Sequence, residues 1–161
     1  MGRGRSFTSE ERDTWAPVAA MLELMPRQLD AQLLADEGLT HFDYFALSVL
    51  ALEPAHRMRM AELASHTNAT LPRLSHVITR LEKRGYVRRE RAADDARATD
   101  VVITAEGRRK VVGATPGHVE NVRAMILDAL TPEQRAQLRE ITAAVLARLD
   151  PEGRMAITRR G

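Results

Sequence analysis

The stretch "LPRLSHVITRLEKRG", residues 71–85, decides the fold. Leu74, Val77, Ile78 and Leu81 fall at i, i+3, i+4 and i+7, one aliphatic stripe of a helix that needs a core. Arg73, His76, Arg80 and Lys83 run down the other side, with Ser75 and Thr79 beside them and Glu82 the one acid. A solvated face usually mixes signs, whereas this composition suits phosphates and base edges. The stops are explicit. Pro72 is tolerated in a first helical turn, and residues before a proline avoid helical angles, so the helix begins near Thr70 or Leu71. Gly85 sits where a left-handed residue closes a helix, which pairs Leu81 with Tyr86 across the cap. Lys83 and Arg84 suit the negative end of the dipole.

Upstream, Thr8 and Glu11 form a capping box that opens a long helix striped by Trp15, Val18, Leu22, Met25, Leu29 and Leu33. Pro26 is expected to kink or split it, and Gly38 to end it. Thr40 and Asp43 start a second helix, "EPAHRMR" reads as a connector, and "MAELASH" as a short third helix. Downstream the period changes. "YVRRER" and "TDVVIT" are two strands of a hairpin around the polar loop "AADDARA". Thr104 caps another long helix, which Gly113, Pro116 and Gly117 are expected to bend. Thr131, Pro132 and Gln134 start the last helix, striped by Leu138, Ile141, Val145 and Leu149.

This order predicts a mainly α fold with a small β-hairpin wing, a winged helix-turn-helix. Residues 8–36 and 105–150 are expected to form a dimerisation lobe around a DNA-binding lobe at 37–104, with 151–161 a flexible tail. The terminal stripes are longer than the middle lobe can cover, which points to a second copy.

The chain has 161 residues and net charge +2, so bulk charge does not single out nucleic acid. Distribution does: residues 70–97 hold eight Arg or Lys against four Asp or Glu, leaving the remainder acidic. Without cysteine there are no disulfides or thiolate zinc sites. No 18-residue apolar run and no secretory h-region are present, so a cytoplasmic protein with no membrane partner is expected. His41, His56, His66, His76 and His118 show no i, i+4 pair, so neither a metal site nor a cofactor is expected. No G-x-S-x-G, phosphate-loop or dinucleotide pattern points to an enzyme.

From about Leu33 to Leu149 the sequence resembles the MarR family of transcriptional regulators, most densely in "MAELASHTNATLPRLSHVITRLEKRGYVRRERAADDARATDVVITAEG". "ELA" matches the first helix of the helix-turn-helix, "VITRLEKRGYVRR" the recognition-helix end and first wing strand, "DAR" (Asp95 to Arg97) the D-x-R of the wing, and "ITAEG" the start of the fifth helix. The departure is "ATLPRLSH", where the family has more small hydroxyl residues and a proline one place earlier. The resemblance implies a homodimer on a pseudo-palindromic double-stranded operator, usually a repressor, released by a small aromatic or amphipathic molecule. The alternatives are an effector-independent architectural DNA binder and a winged helix used for protein contacts.

Thr70, Arg73, Ser75, His76 and Thr79 are expected at the major groove, where arginine offers a fork to guanine. Arg80 and Lys83 are expected at phosphates, with Glu82 and its neighbours their other partners, and Arg91 is expected among the DNA-binding residues. Arg97 at the wing tip fits a narrow minor groove, and Asp95 is a structural turn residue. For an effector, Trp15, Met25, Phe42 and Phe45 are the expected lining, with Arg57 or Arg59 at the edge and an anion among the ligands considered.

Overall fold

The computed structural model describes residues 6–92, 94–95 and 97–155. The elements are α1 (Ser9–Glu37), α2 (His41–Leu52), β1 (Arg57–Arg59), α3 (Met60–His66), α4 (Leu71–Lys83), β2 (Val87–Arg91), β3 (Thr99–Ile103), α5 (Ala105–Val122), a π-helical segment Arg123–Leu127, and α6 (Pro132–Leu149). The strands form one antiparallel sheet in the order β1-β3-β2. This is a winged helix-turn-helix with long helices at both ends. Among the described residues no helix is long and apolar enough to cross a membrane.

Local chemistry places the helix ends. Capping boxes close at Thr8 with Glu11, Thr40 with Asp43, and Thr131 with Gln134. Gly38 ends α1 in the left-handed region, φ 63°. Thr70 caps α4, and Gly85 follows it at φ 77°. There the Tyr86 N–H donates to the Leu81 carbonyl at 3.0 Å and the Gly85 N–H to Glu82 at 2.9 Å. Those two bonds are the Schellman pair that the spacing predicts.

The α4 stripe meets its core. Leu74, Val77, Ile78 and Leu81 are buried together with Leu47, Leu50, Leu63, Val87, Val101 and Ile103. β3 is the central strand, and its Val101, Val102 and Ile103 are all buried. α5 starts against the α4–β2 corner because position 107 is glycine. A Cβ there would stand 2.2 Å from the Tyr86 carbonyl oxygen. That carbonyl in turn accepts the Thr104 N–H at 3.0 Å.

Three expectations need correction. "EPAHRMR" is not only a connector: Arg57–Arg59 pair with β3 in register Arg57↔Val102, so the wing sheet has three strands. Three residues are too few to display a period, and ion pairs from Arg57 and Arg59 to Glu90 and Asp100 help hold this edge. α1 is one unbroken helix across Pro26, so it is not split there. The missing N–H deprives the carbonyl of Leu22, whose residue is 61% exposed, so water can take its place. In α5 the helix continues through Gly113, Pro116 and Gly117, and the irregular turn is the π segment at 123–127. Gly117 instead permits close approach of α1, since a Cβ would lie 3.1 Å from Gln32 Nε2. Of the expected tail, residues 156–161 lie outside the described residues. Residues 151–155 turn back over Asp150, whose carboxylate accepts the Arg154 and Met155 N–H groups at 2.9 Å.

The two glycines separate strain from collision. Gly85→Ala, with nothing within 4 Å of its Cβ, should cost about 1–2 kcal/mol for left-handed backbone alone. Gly107→Ala should cost about 3 kcal/mol or more, because backbone must move. Urea denaturation of both variants checks this, and equal losses would refute the collision at Tyr86.

Candidate nucleic-acid interface and adjoining cavity

At about 100° per residue, α4 divides into a buried stripe, two flanks and an exposed ridge. Arg73, Arg80 and Arg84 are spaced i, i+7 and i+11 and occupy one flank. That flank faces the α1–α2 corner. The Arg73 guanidinium stacks over Phe42 at 4.4 Å. Arg80 pairs with Asp43, a carboxylate only 1% exposed that also accepts the Thr40 N–H at 3.0 Å. Arg84 Nη1 donates to the Gly38 carbonyl at 2.7 Å. Arg80 is therefore not paired with Glu82, as one sequence-based expectation had it, but ties the recognition helix to α2.

The other flank faces the wing. Arg89 of β2 reaches across, its Nη1 donating to Glu82 Oε2 at 2.6 Å and its Nη2 to the Ser75 carbonyl and Thr79 Oγ1 at 2.9 Å each. The Thr79 hydroxyl donates its own proton to the Ser75 carbonyl at 2.9 Å. Ser75 and Thr79, expected at the groove, are thus bonded to each other and to Arg89. Sequence reasoning missed Arg89. The available signal was a polar stripe, Ser75, Thr79 and Glu82, whose acid has no Arg or Lys three or four residues away.

The ridge between the flanks carries His76 and Lys83, both exposed. Thr70 is occupied at the helix start, its hydroxyl accepting from the Arg73 N–H at 3.4 Å. On the wing, Arg91 and Arg97 are exposed. Asp95 Oδ1 accepts the Arg97 N–H at 2.9 Å, which fixes the turn and leaves the Arg97 side chain outside it. Ion pairs brace the sheet behind: Arg59 with Asp94 at 2.6 Å and Asp100 at 3.0 Å, and Arg88 with Glu90 at 2.6 Å. Hydrogen bonding to Arg88, with Arg57 adding to it, holds the Glu90 carboxyl below the usual carboxylate range.

The four residues expected around an effector do not converge. Trp15 is half-exposed on the outer part of α1. Met25 lines an open groove between α1 and the α5–α6 junction, with Met21, Leu24, Met125, Leu138 and Ile141. Phe42 lies under Arg73. Phe45 alone lines the cavity between α2, α3, β1 and α5, about 330 Å³, together with His41, Tyr44, Ser48, Met58 and His118. Met58 faces this cavity, and strand alternation turns Arg57 and Arg59 away from it to their carboxylates. His41, His118 and Tyr44 were not expected here, because stacking across α2 and α5 has no sequence signal. The His41 and His118 rings stack with centroids 5.8 Å apart, and Tyr44 lies 4.7 Å from His118. Burial pushes the pKa of both histidines down; for His41 the nearby His118 adds to this and Asp30 opposes it.

Two predictions follow from this packing. Arg80→Gln leaves a buried carboxylate with the Thr40 N–H but no cation. It should cost about 1–3 kcal/mol, below the full value for a buried pair because Arg80 is partly in water. His76→Gln on the exposed ridge should stay within about 0.5 kcal/mol of the parent, and denaturant curves of the two variants test the contrast. The second concerns acid. Folded His41 and His118 titrate below the ordinary 6.5, so the unfolded chain takes up protons first as pH falls. Stability present above about 6.5 should therefore decline as pH drops toward the folded values. His118→Phe should flatten that part of the profile of melting temperature against pH, and an unchanged slope would refute the assignment.

A family model described as "MarR family" matches residues 37–98. Sco3205, a MarR family transcriptional regulator from Streptomyces coelicolor whose crystal structure is in complex with DNA, is 40% identical, with 94% of each chain covered and a TM-score of 0.87. AbsC, a MarR family transcriptional regulator from the same organism, is 34% identical over 90% of this chain and 97% of its own, with a TM-score of 0.84. The transcriptional repressor MprA of Escherichia coli is 25% identical over 119 residues, 74% of this chain and 67% of its own. With an exposed recognition ridge, a three-stranded wing and a 40% identical relative aligned over nearly its whole length, the chain belongs to the MarR family of transcriptional regulators.

Proposed function

We propose that the protein is a homodimeric repressor that binds a pseudo-palindromic operator and is released from it by a small molecule. The observation that carries the DNA reading is the α4 ridge. His76 and Lys83 stand free between two braced flanks, and Arg91 and Arg97 project from the wing. A similar relative solved with DNA supports the same partner, and a relative named a repressor supports the direction of regulation. Arg73 keeps its N–H edges available while its face rests on Phe42, so it remains the candidate for reading guanine.

The dimer reading rests on unpartnered apolar surface. Trp15, Met21, Leu22 and Leu24 of α1 are exposed, as are Ile141, Val145 and Leu149 of α6. No residue of α6 is buried. Unpartnered apolar surface of this kind marks an interface, and two-fold pairing would place the recognition helices about one DNA turn apart, ~34 Å. The proposed division is residues 8–36 and 105–150 for pairing and 37–104 for DNA. The cavity lined by Tyr44, Phe45 and His118 is the proposed effector site, since α2 lines it on one face and holds α4 through Asp43 on the other.

Mobility shifts with the gene's own promoter and with scrambled DNA, alongside sedimentation, test the proposal. If 6–10 phosphates are contacted, affinity should fall ~10³–10⁵-fold between 50 and 200 mM salt. Arg73→Ala should cost about 1–3 kcal/mol per half-site and relax one base position, while Lys83→Gln should lower the salt slope by about one per subunit. Arg97→Ala should weaken binding with less loss of sequence preference. A monomer that binds one operator tightly would defeat the dimer, and equal binding of scrambled DNA would favour an architectural role.

A further inference from the structure

We infer that Leu71 and Pro72 read the C5-methyl group of a thymine in each half-site. The inference rests on the DNA reading above and names the base group that this end of α4 recognises. Leu71 leaves the buried stripe of the helix half-exposed, and Pro72 beside it is exposed. Pro72 lies four residues before His76, so it stands one turn earlier on the same ridge. Leu71 lies four residues before Ser75, on the side that faces the wing. The N-terminal residues of a recognition helix are the ones that meet base edges.

The first turn of α4 is a poor place for a phosphate. A helix start ordinarily binds anions through its free N–H groups. Here Pro72 has no N–H to give. The Arg73 N–H donates to the Thr70 hydroxyl at 3.4 Å, and the Leu74 N–H donates to the Thr70 carbonyl at 3.0 Å. Those three positions offer nothing to an anion. What they leave at the surface, with Leu71, is hydrocarbon.

Leu71 and Pro72 line an open groove between the start of α4 and the wing, together with Met60, Ser75, Arg89 and Arg97. Arg89 is engaged by Glu82, Ser75 and Thr79, while Arg97 is exposed. An occupant must therefore set an apolar group against Leu71 and Pro72 and an acidic one near Arg97. Duplex DNA meets both demands. The apolar group that its major groove displays is the thymine C5-methyl, which alkyl side chains contact, and its phosphates supply the acid. A second copy is the rival occupant, because Leu71 also borders a groove beside Leu146 and Leu149 of α6. That groove is lined by neither Pro72 nor Arg97, so a copy seated there leaves both unexplained.

Binding-site selection with the full chain, followed by single thymine-to-uracil replacements in the selected duplex, tests the inference, because uracil lacks only the methyl. In fluorescence anisotropy, replacement in one half-site should weaken wild-type binding about fourfold, ~0.8 kcal/mol for one buried methyl. Replacement in both half-sites should weaken it about fifteenfold. Leu71→Ala combined with Pro72→Ala, checked by circular dichroism and sedimentation, should bind the thymine and uracil duplexes alike. Leu71→Met, still apolar, should keep the discrimination. A specifically bound duplex with no uracil-sensitive position overturns the inference and leaves the DNA reading intact. Sensitivity that survives the double substitution unchanged overturns it too, since another residue then reads the methyl. A double variant that no longer pairs places these residues between copies and also overturns it. If selection returns no preferred sequence, the DNA reading fails first and the inference fails with it.

Discussion

The carboxylate of Asp43 is the point on which the arrangement of the helices turns. One oxygen closes the capping box at the start of α2 by accepting the Thr40 N–H, and the other receives Arg80 from the middle of α4. A charge this deeply buried is tolerable only when paired and hydrogen-bonded. The same start of α2 is held from the other side by Asp30, which accepts the His41 N–H at 2.7 Å. Two carboxylates at a helix N-terminus also complement its dipole. Apolar packing of Leu74, Ile78 and Leu81 would tolerate a range of crossing positions. The Asp43–Arg80 pair admits few, because its geometry is directional.

Around that pair the basic residues divide into two kinds. Arg80, Arg84 and Arg89 fix structure: the first two hold α4 to the α1–α2 corner, the third holds it to the wing. Lys83, Arg91 and Arg97 are exposed, and they are among the proposed DNA contacts. The net charge of the segment counts both kinds alike, so it overstates the surface available for DNA. Arg89 illustrates the gain. By engaging Glu82, Ser75 and Thr79 at once it makes wing and recognition helix one rigid unit, and a rigid unit loses less entropy on docking.

What was legible in the sequence is what short-range chemistry decides. Thr70, Pro72 and Gly85 bound α4 by local rules, and the four aliphatic positions of its stripe all reach the core. Capping boxes fixed three other helix starts for the same reason. What was not legible depends on long separation. Arg80 meets Asp43 across 37 residues, and Arg59 meets Asp100 across 41. β1 is too short to show a period and is defined by its partner strand. The expected effector residues were chosen by aromatic and Met content at the junction that the family resemblance implies, and such content cannot tell a cavity wall from a pairing surface. Met25 faces the open α1 groove, while Phe42 supports an arginine. A split at Pro26 was expected because the rule weighs the lost N–H, and it is silent on whether water reaches the freed carbonyl.

α2 spans 12 residues and has work on two faces. Phe42 and Asp43 engage α4, while Tyr44, Phe45 and Ser48 line the cavity. Soft packing dissipates a small displacement, but a short helix pinned at one end by directional bonds carries it as a rotation or shift. If a ligand in the cavity displaces Phe45 or His118, the Asp43 end must follow or the Arg80 pair must weaken. Either response alters where α4 presents His76 and Lys83. A coupling of about 1–3 kcal/mol is typical between such sites, and the cost of disturbing one buried charge pair is of that order. On the proposed effector reading, the contact that orders the recognition helix in the free protein is also the one through which a ligand would move it.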